Sequence, residues 1–118
     1  MIEILDIENV KFGSVNNKYD KNFHLVPAYK NFKELIFWNL LRVKINPLYK
    51  IKITTQMYID IDNPIKPIFD AIQAKGIIDN DKNIVDLQII KIPIKKGSPG
   101  SINIKIMGDC PVSDAIKP

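Results

Sequence analysis

At 118 residues, with a net charge of +4, 46% hydrophobic and 25% charged residues, the sequence has the size and balance of one globular domain, which excludes disordered and fibrous classes. A single cysteine, Cys110, excludes an internal disulfide, and 23 isoleucines favour strands. No stretch reaches the roughly 18 apolar residues of a membrane-spanning helix, and MIEILDIE lacks the basic start and apolar run of a secretion signal, so a soluble cytoplasmic protein is expected.

Residues 1–10 predict a first strand, followed by a polar, turn-rich segment over 11–26; loops of that length in small domains tend to be functional or mobile. From Pro27, suited to a first helical position, Phe32, Leu35, Ile36, Leu40 and Val43 recur at helical spacing and predict a helix that ends before Asn46-Pro47. Phe37, Trp38 and Leu41 widen its apolar surface beyond one stripe, which predicts deep burial or cover by a second subunit. YKIKITTQMYIDID, residues 49–62, alternates cleanly and predicts a strand with Asp60 and Asp62 on its polar face. Asn63 then suits an N-cap and Pro64 the first turn of a second helix, whose stripe Ile65, Ile68, Phe69 and Ile72 ends before Gly76, with Lys66 and Asp70 four apart on the other side. IIDNDKN is a turn, a strand is expected from Ile84 to Ile94, and KKGSPGS predicts a reversal into INIKIM, the pair reading as a hairpin. The tail over 108–118 has no period and is expected to be loose. The whole is a small single α+β domain over 1–118, a mixed sheet with two helices in the order β-α-β-α-β-β.

Charge is distributed by region. Residues 60–86 hold six acids against three bases, whereas the rest of the chain holds fourteen bases against seven acids. A solvated surface explains that split simply; a basic surface around an acidic pocket suits an enzyme that grips a polyanion and acts on it through a bound cation. Two carboxylates two apart on a strand are close enough to share a hard cation, Asp81 in the following turn is a candidate third ligand, and Lys66 at the helix start is placed to face the same site. Singly, each has a plainer role: Asp62 and Asn63 as helix caps, residues 79–83 as a solvated turn, Lys66 as a helical ion partner. Asp60, which caps nothing, tips the balance, because clustered like charges call for a counter-cation. Other metal motifs fit worse. Ile84 and Ile90 stand where an EF-hand needs glycine and glutamate, and one histidine, His24, with one cysteine excludes a zinc cage of those residues.

The segment DIDNPIKPIFDAIQAKGIIDNDKNIVD, residues 60–86, resembles the RusA family of Holliday-junction resolvases: an Asp-x-Asp-Asn, a lysine three residues later, an Asp-Ala pair, a glycine and an acid-rich turn before the next strand. SVNNKY, residues 14–19, is similar to a second element near that family's N-terminus. The resemblance implies an endodeoxyribonuclease that resolves Holliday junctions or other branched DNA in recombination and repair, a homodimer, and Mg²⁺ as cofactor with Mn²⁺ as the alternative. It implies Asp60, Asp62 and Asp81 as catalytic metal-binding acids, Lys66 as the essential lysine, and Asn63 and Asp70 as supporting residues, with Asp79 the substitute for Asp81. Nucleic-acid contacts are expected from Lys66, from Asn16, Lys18, Tyr19 and Lys21 in the polar segment, and from Lys91, Lys95 and Lys96 at strand ends. The rival is a non-cleaving DNA-binding protein of the same fold, distinguished by the absence of metal-dependent nicking.

Overall fold

The computed structural model describes residues 1–11, 27–62 and 64–111. Its elements follow the expected order: β1 (Ile2–Val10), α1 (Pro27–Asn39), β2 (Tyr49–Met57), α2 (Ile65–Ala74), a 3-10 turn (Asp81–Asn83), β3 (Ile84–Pro93) and β4 (Gly100–Met107). The strands form one mixed sheet in the order β1-β4-β2-β3.

Isoleucine alternation builds the core. Ile51, Ile53 and Met57 of β2 and Ile102, Ile104 and Ile106 of β4 are buried on one face, as the two-residue side-chain period requires. A register shift between Glu3 and Leu5 lets β1 bury both Ile4 and Leu5. Phe32 and Ile36 of α1, Leu40 just after it, and Ile68, Ala71 and Ile72 of α2 complete the same cluster. The opposite face is polar, with Lys52 and Thr54 of β2 beside Lys105 and Asn103 of β4.

Three expectations are corrected. The strands β3 and β4 do not form a hairpin: β3 runs parallel to β2 on one side, and β4 pairs antiparallel with β2 on the other. The Gly/Pro turn signals a reversal but not the neighbour. Burial distinguishes the two, since β4 hides three isoleucines whereas β3 is an exposed edge ending in Pro93, a residue suited to an edge because it donates no ladder bond. The first helix stops at Asn39 rather than reaching Ile45, and Leu41 N–H bonds the Ile4 carbonyl of β1, so the chain leaves the helix by docking on the sheet. The second strand stops at Met57, five residues before the end of the alternating pattern.

Because β2 and β3 are parallel, the chain between them must cross over the sheet, and α2 is that crossover. It ends in a Schellman motif: Gly76 at φ 79° donates to the Gln73 carbonyl and Ile77 to the Ile72 carbonyl, with Ile72 and Ile77 both buried. Ile77 also accepts from the Ile45 amide, which fixes where the following turn begins. Beyond β4, Gly108 passes so close that a Cβ there would lie 2.2 Å from the Asn46 carbonyl oxygen. Asp109 and Cys110 donate to Asn46 and Leu48, so the segment expected to be loose starts with bonded residues, and 112–118 lie outside the described residues.

Candidate active site

The pairing of β2 decides where the acids go. Its last partners are Ser101 of β4, opposite Gln56, and Pro93 of β3, opposite Met57; Ile94 adds one bond to the Met57 carbonyl. With no ladder left, Tyr58 and Ile59 bend away and Asp60, Ile61 and Asp62 form an exposed turn. Asp60 and Asp62 are therefore turn residues rather than neighbours on a strand face.

The turn feeds α2 directly. The Asp62 carbonyl accepts the Ile65 amide at 3.2 Å, Pro64 occupies the N-cap position, and the Pro64 carbonyl accepts the Ile68 amide. Pro67 is buried within the first turn, where a missing donor is tolerated. Asn63, expected as the cap, lies outside the described residues. The apolar stripe turns Ile68 and Ile72 inward, and Lys66 and Asp70 stand one above the other on a flank, four residues apart.

At the far end of α2, residues 79–83 fold around one carboxylate. Asp79 Oδ1 accepts the Tyr49 hydroxyl at 2.9 Å, the Asn80 amide at 2.6 Å and the Asn83 side-chain amide at 3.0 Å, while the Asp79 amide donates to the Tyr49 hydroxyl at 3.0 Å. The Asn80 side chain caps the 3-10 turn through the Lys82 amide. Hydrogen bonds from Asn83 and Tyr49 hold the Asp79 carboxyl below its ordinary range. Burial pushes the Tyr49 hydroxyl up.

These segments meet at a cleft of about 390 Å³. Asp62, Lys66, Asp70 and Asp81 line it above a floor of Ile65, Phe69 and Ile89, with Ile61 at its edge. Asp62 comes from the β2–α2 turn, Lys66 and Asp70 from α2, and Asp81 from the 3-10 turn, so residues nineteen positions apart share one space. Asp60 is exposed and does not line the cleft. Asp70 accepts the hydroxyl of Tyr29, a buried α1 residue, which ties the two helices together at the site. Among the described residues no three His, Cys, Asp or Glu side chains are grouped so as to hold an ion by themselves. The cleft offers carboxylate oxygens suited to a hard cation and an ammonium suited to a phosphate.

The expected nucleic-acid contacts divide. Asn16, Lys18, Tyr19 and Lys21 lie outside the described residues. Lys91 is half-buried on β3, and Lys95 and Lys96 are exposed just after it. Lys96 lines a second cleft of about 470 Å³ with Asn9, Lys11, Tyr58 and Ser98. Sequence reasoning missed Lys11, Tyr29, Tyr49 and Asn83. Lys11 carried a weak signal as a base opening the polar segment; Tyr29 and Tyr49 carried none, because their partners are 41 and 30 residues away.

Residues 42–107 match the family described as Endodeoxyribonuclease RusA. The crossover junction endodeoxyribonuclease rusA of Enterobacteria phage 82 is 31% identical over 87 residues, covering 70% of this chain and 72% of the phage protein. The enzymes of that name from Escherichia coli O139:H28 (strain E24377A / ETEC) and strain K12 are each 36% identical over 50 residues. The chain thus spans 42% of the length of these Escherichia coli relatives. The matched segment exceeds half of the sequence and contains Asp62, Lys66, Asp70 and Asp81, and the chain belongs to the RusA endodeoxyribonuclease family.

Proposed function

We propose that this protein is a divalent-metal-dependent endodeoxyribonuclease that cuts four-way or otherwise branched DNA, with the cleft between the β2–α2 turn, α2 and the 3-10 turn as its catalytic site. The observation that carries the reading is the convergence of Asp62, Lys66 and Asp81 on one space, in a chain whose relatives are named crossover junction endodeoxyribonucleases.

A hard cation fits these residues. Mg²⁺ is held by one or two carboxylates, with waters and substrate phosphate oxygens filling the rest of its shell, so Asp62 and Asp81 are a sufficient protein donor set without Asp60, which does not line the cleft. When bound, the ion would polarise a phosphodiester and lower the pKa of a coordinated water. Asp62 and Asp81 give the cleft a negative focus, and Lys66, lining the same space, would meet the phosphate that enters it. Ile65, Phe69 and Ile89, all half-buried, supply the apolar part of the cleft beside these charges. Lys11, Lys95 and Lys96 lie on the surface near the ends of β1 and β3, where they hold flanking backbone by charge rather than by sequence.

A homodimer completes the reading. Trp38 is 73% exposed, Leu41 50% and Leu35 40%, an apolar strip along and just beyond α1 that a second copy would cover, and a two-fold assembly suits a four-way junction.

The direct test is incubation with an end-labelled synthetic four-way junction, in Mg²⁺, in Mn²⁺ and with EDTA. Symmetric nicks that need the cation are expected; binding without cutting in either metal leaves the non-cleaving reading and overturns this one.

A further inference from the structure

The turn that carries Asp81 is built around a carboxylate that does not line the cleft. Asp79 is exposed, yet its Oδ1 receives three hydrogen bonds, from Tyr49 at 2.9 Å, the Asn80 amide at 2.6 Å and Asn83 at 3.0 Å, and Asn83 also reaches Oδ2 at 3.2 Å. A carboxylate has about four acceptor sites, and these donors use most of them. Tyr49 is wholly buried at the first position of β2, where it also pairs in register with Ile84, the first residue of β3. One buried residue thus grips both ends of the turn: its hydroxyl at Asp79, its backbone register at Ile84. Between these grips lies Asp81, on the wall of the cleft.

We propose that Tyr49, Asp79 and Asn83 form a clamp that positions Asp81 for metal binding, so that Asp79 is a positioning residue and not a ligand. The clamp rests on the proposed nuclease reading, because Asp81 has a metal to meet only if that reading holds. The assignment follows from chemistry. Oδ1 already accepts three hydrogen bonds and the Asn83 amide also reaches Oδ2, so Asp79 is a poorer donor to a cation than Asp81, two residues on, which lines the open cleft where Asp79 does not. The turn is short and polar, with no buried side chain of its own in the 3-10 segment, so side-chain hydrogen bonds are what fix its shape. Losing them leaves Asp81 present but less well aimed, and partners that orient a metal ligand typically cost about 10–100-fold in metal affinity when removed.

The test is Mn²⁺ binding to the free protein followed by electron paramagnetic resonance, with thermal melting and junction gel shifts on the same samples. For Tyr49→Phe, which removes one oxygen, and Asp79→Ala, Mn²⁺ affinity is expected to fall about tenfold while junction affinity holds and cutting recovers at raised metal. Asp79→Asn keeps an acceptor oxygen for Tyr49 and Asn80, and is expected to stay within about threefold of the parent, a smaller loss than removal of the whole group brings. Asp81→Asn should lose binding without recovery. If Asp79→Ala fails to fold, Tyr49→Phe carries the test alone. Lower melting temperatures with unchanged Mn²⁺ affinity would make the clamp purely structural and overturn the proposal. Asp79→Asn falling with Asp81→Asn while Tyr49→Phe stays normal would make Asp79 a ligand and also overturn it. A parent protein that binds no Mn²⁺ sinks the nuclease reading itself, an outcome distinct from either.

Discussion

Asp79 and Lys66 are both charged and exposed, but their surroundings give them different tasks. The hydrogen bonds of Asn83 and Tyr49 depress the Asp79 carboxyl, so the folded chain binds that proton less readily than the unfolded chain. The stabilisation is complete above the ordinary Asp range and disappears as the pH falls through the depressed folded value. Acid melting should therefore show the parent losing stability relative to Asp79→Asn below that range and keeping its advantage at neutral pH; a pH-independent difference would contradict this. Lys66 has a different environment, at the cleft mouth on the first turn of α2. Lys66→Met keeps the length and loses the charge, and its single-turnover cleavage should fall by about 10²–10³ while junction binding changes little, as rates and gel shifts will report. That Asp62, Lys66 and Asp81 share one space was legible in the sequence because they lie within twenty residues, whereas Asp60, expected with them, does not line the cleft. Tyr49 was not legible, since a tyrosine that opens an alternating strand looks like any core residue until its partner thirty positions on is brought beside it.

Among the elements, the strands were read more surely in extent than in partnership. The two-residue period placed Ile51, Ile53 and Met57 on the buried face, but period alone carries no information on which strand lies alongside, and the apparent hairpin of β3 and β4 proved to be two strands flanking β2. It also ran on through Asp62, where the alternation of residues continued after the hydrogen-bonding partners had ended. Within β2, Thr55 faces the core wholly buried, and its hydroxyl has no partner among the described residues. Thr55→Val keeps the shape and removes the unsatisfied group, and should stabilise the fold by about 1 kcal/mol, raising Tm by roughly 4 °C. A lower melting temperature would show that the hydroxyl is satisfied in solution. At the end of α2 the effect reverses. A Cβ at Gly76 would meet nothing within 4 Å, but the residue sits at φ 79°, so Gly76→Ala should cost about 1 kcal/mol through backbone conformation alone, measured by denaturant titration, with no change in the core.

At the scale of the whole molecule, the proposed partners rest on charge and apolar surface. Lys11 and Lys96 share a cleft at one end of the sheet, and Lys95 adjoins it; replacing all three by alanine should weaken DNA binding regardless of sequence and flatten the log-log salt dependence by about 0.9 per lost phosphate contact. An unchanged slope would take them off the DNA. The strip of Leu35, Trp38 and Leu41 predicts sedimentation at about twice the 13.5 kDa chain mass, and Trp38→Glu should shift it toward the monomer. No helix among the described residues is long and apolar enough to cross a membrane. All of this surface serves one claim, that the cleft holding Asp62 is where a cation-assisted cut is made. The measurement that tests it most directly is single-turnover cleavage of a labelled four-way junction by the parent and Asp62→Asn in Mg²⁺, with gel-shift affinity and circular dichroism on both. Removing one carboxylate charge from the cleft should lower cutting by orders of magnitude while affinity holds or improves, because repulsion of the polyanion is relieved. A folded Asp62→Asn protein that cuts at the parental rate would contradict the account.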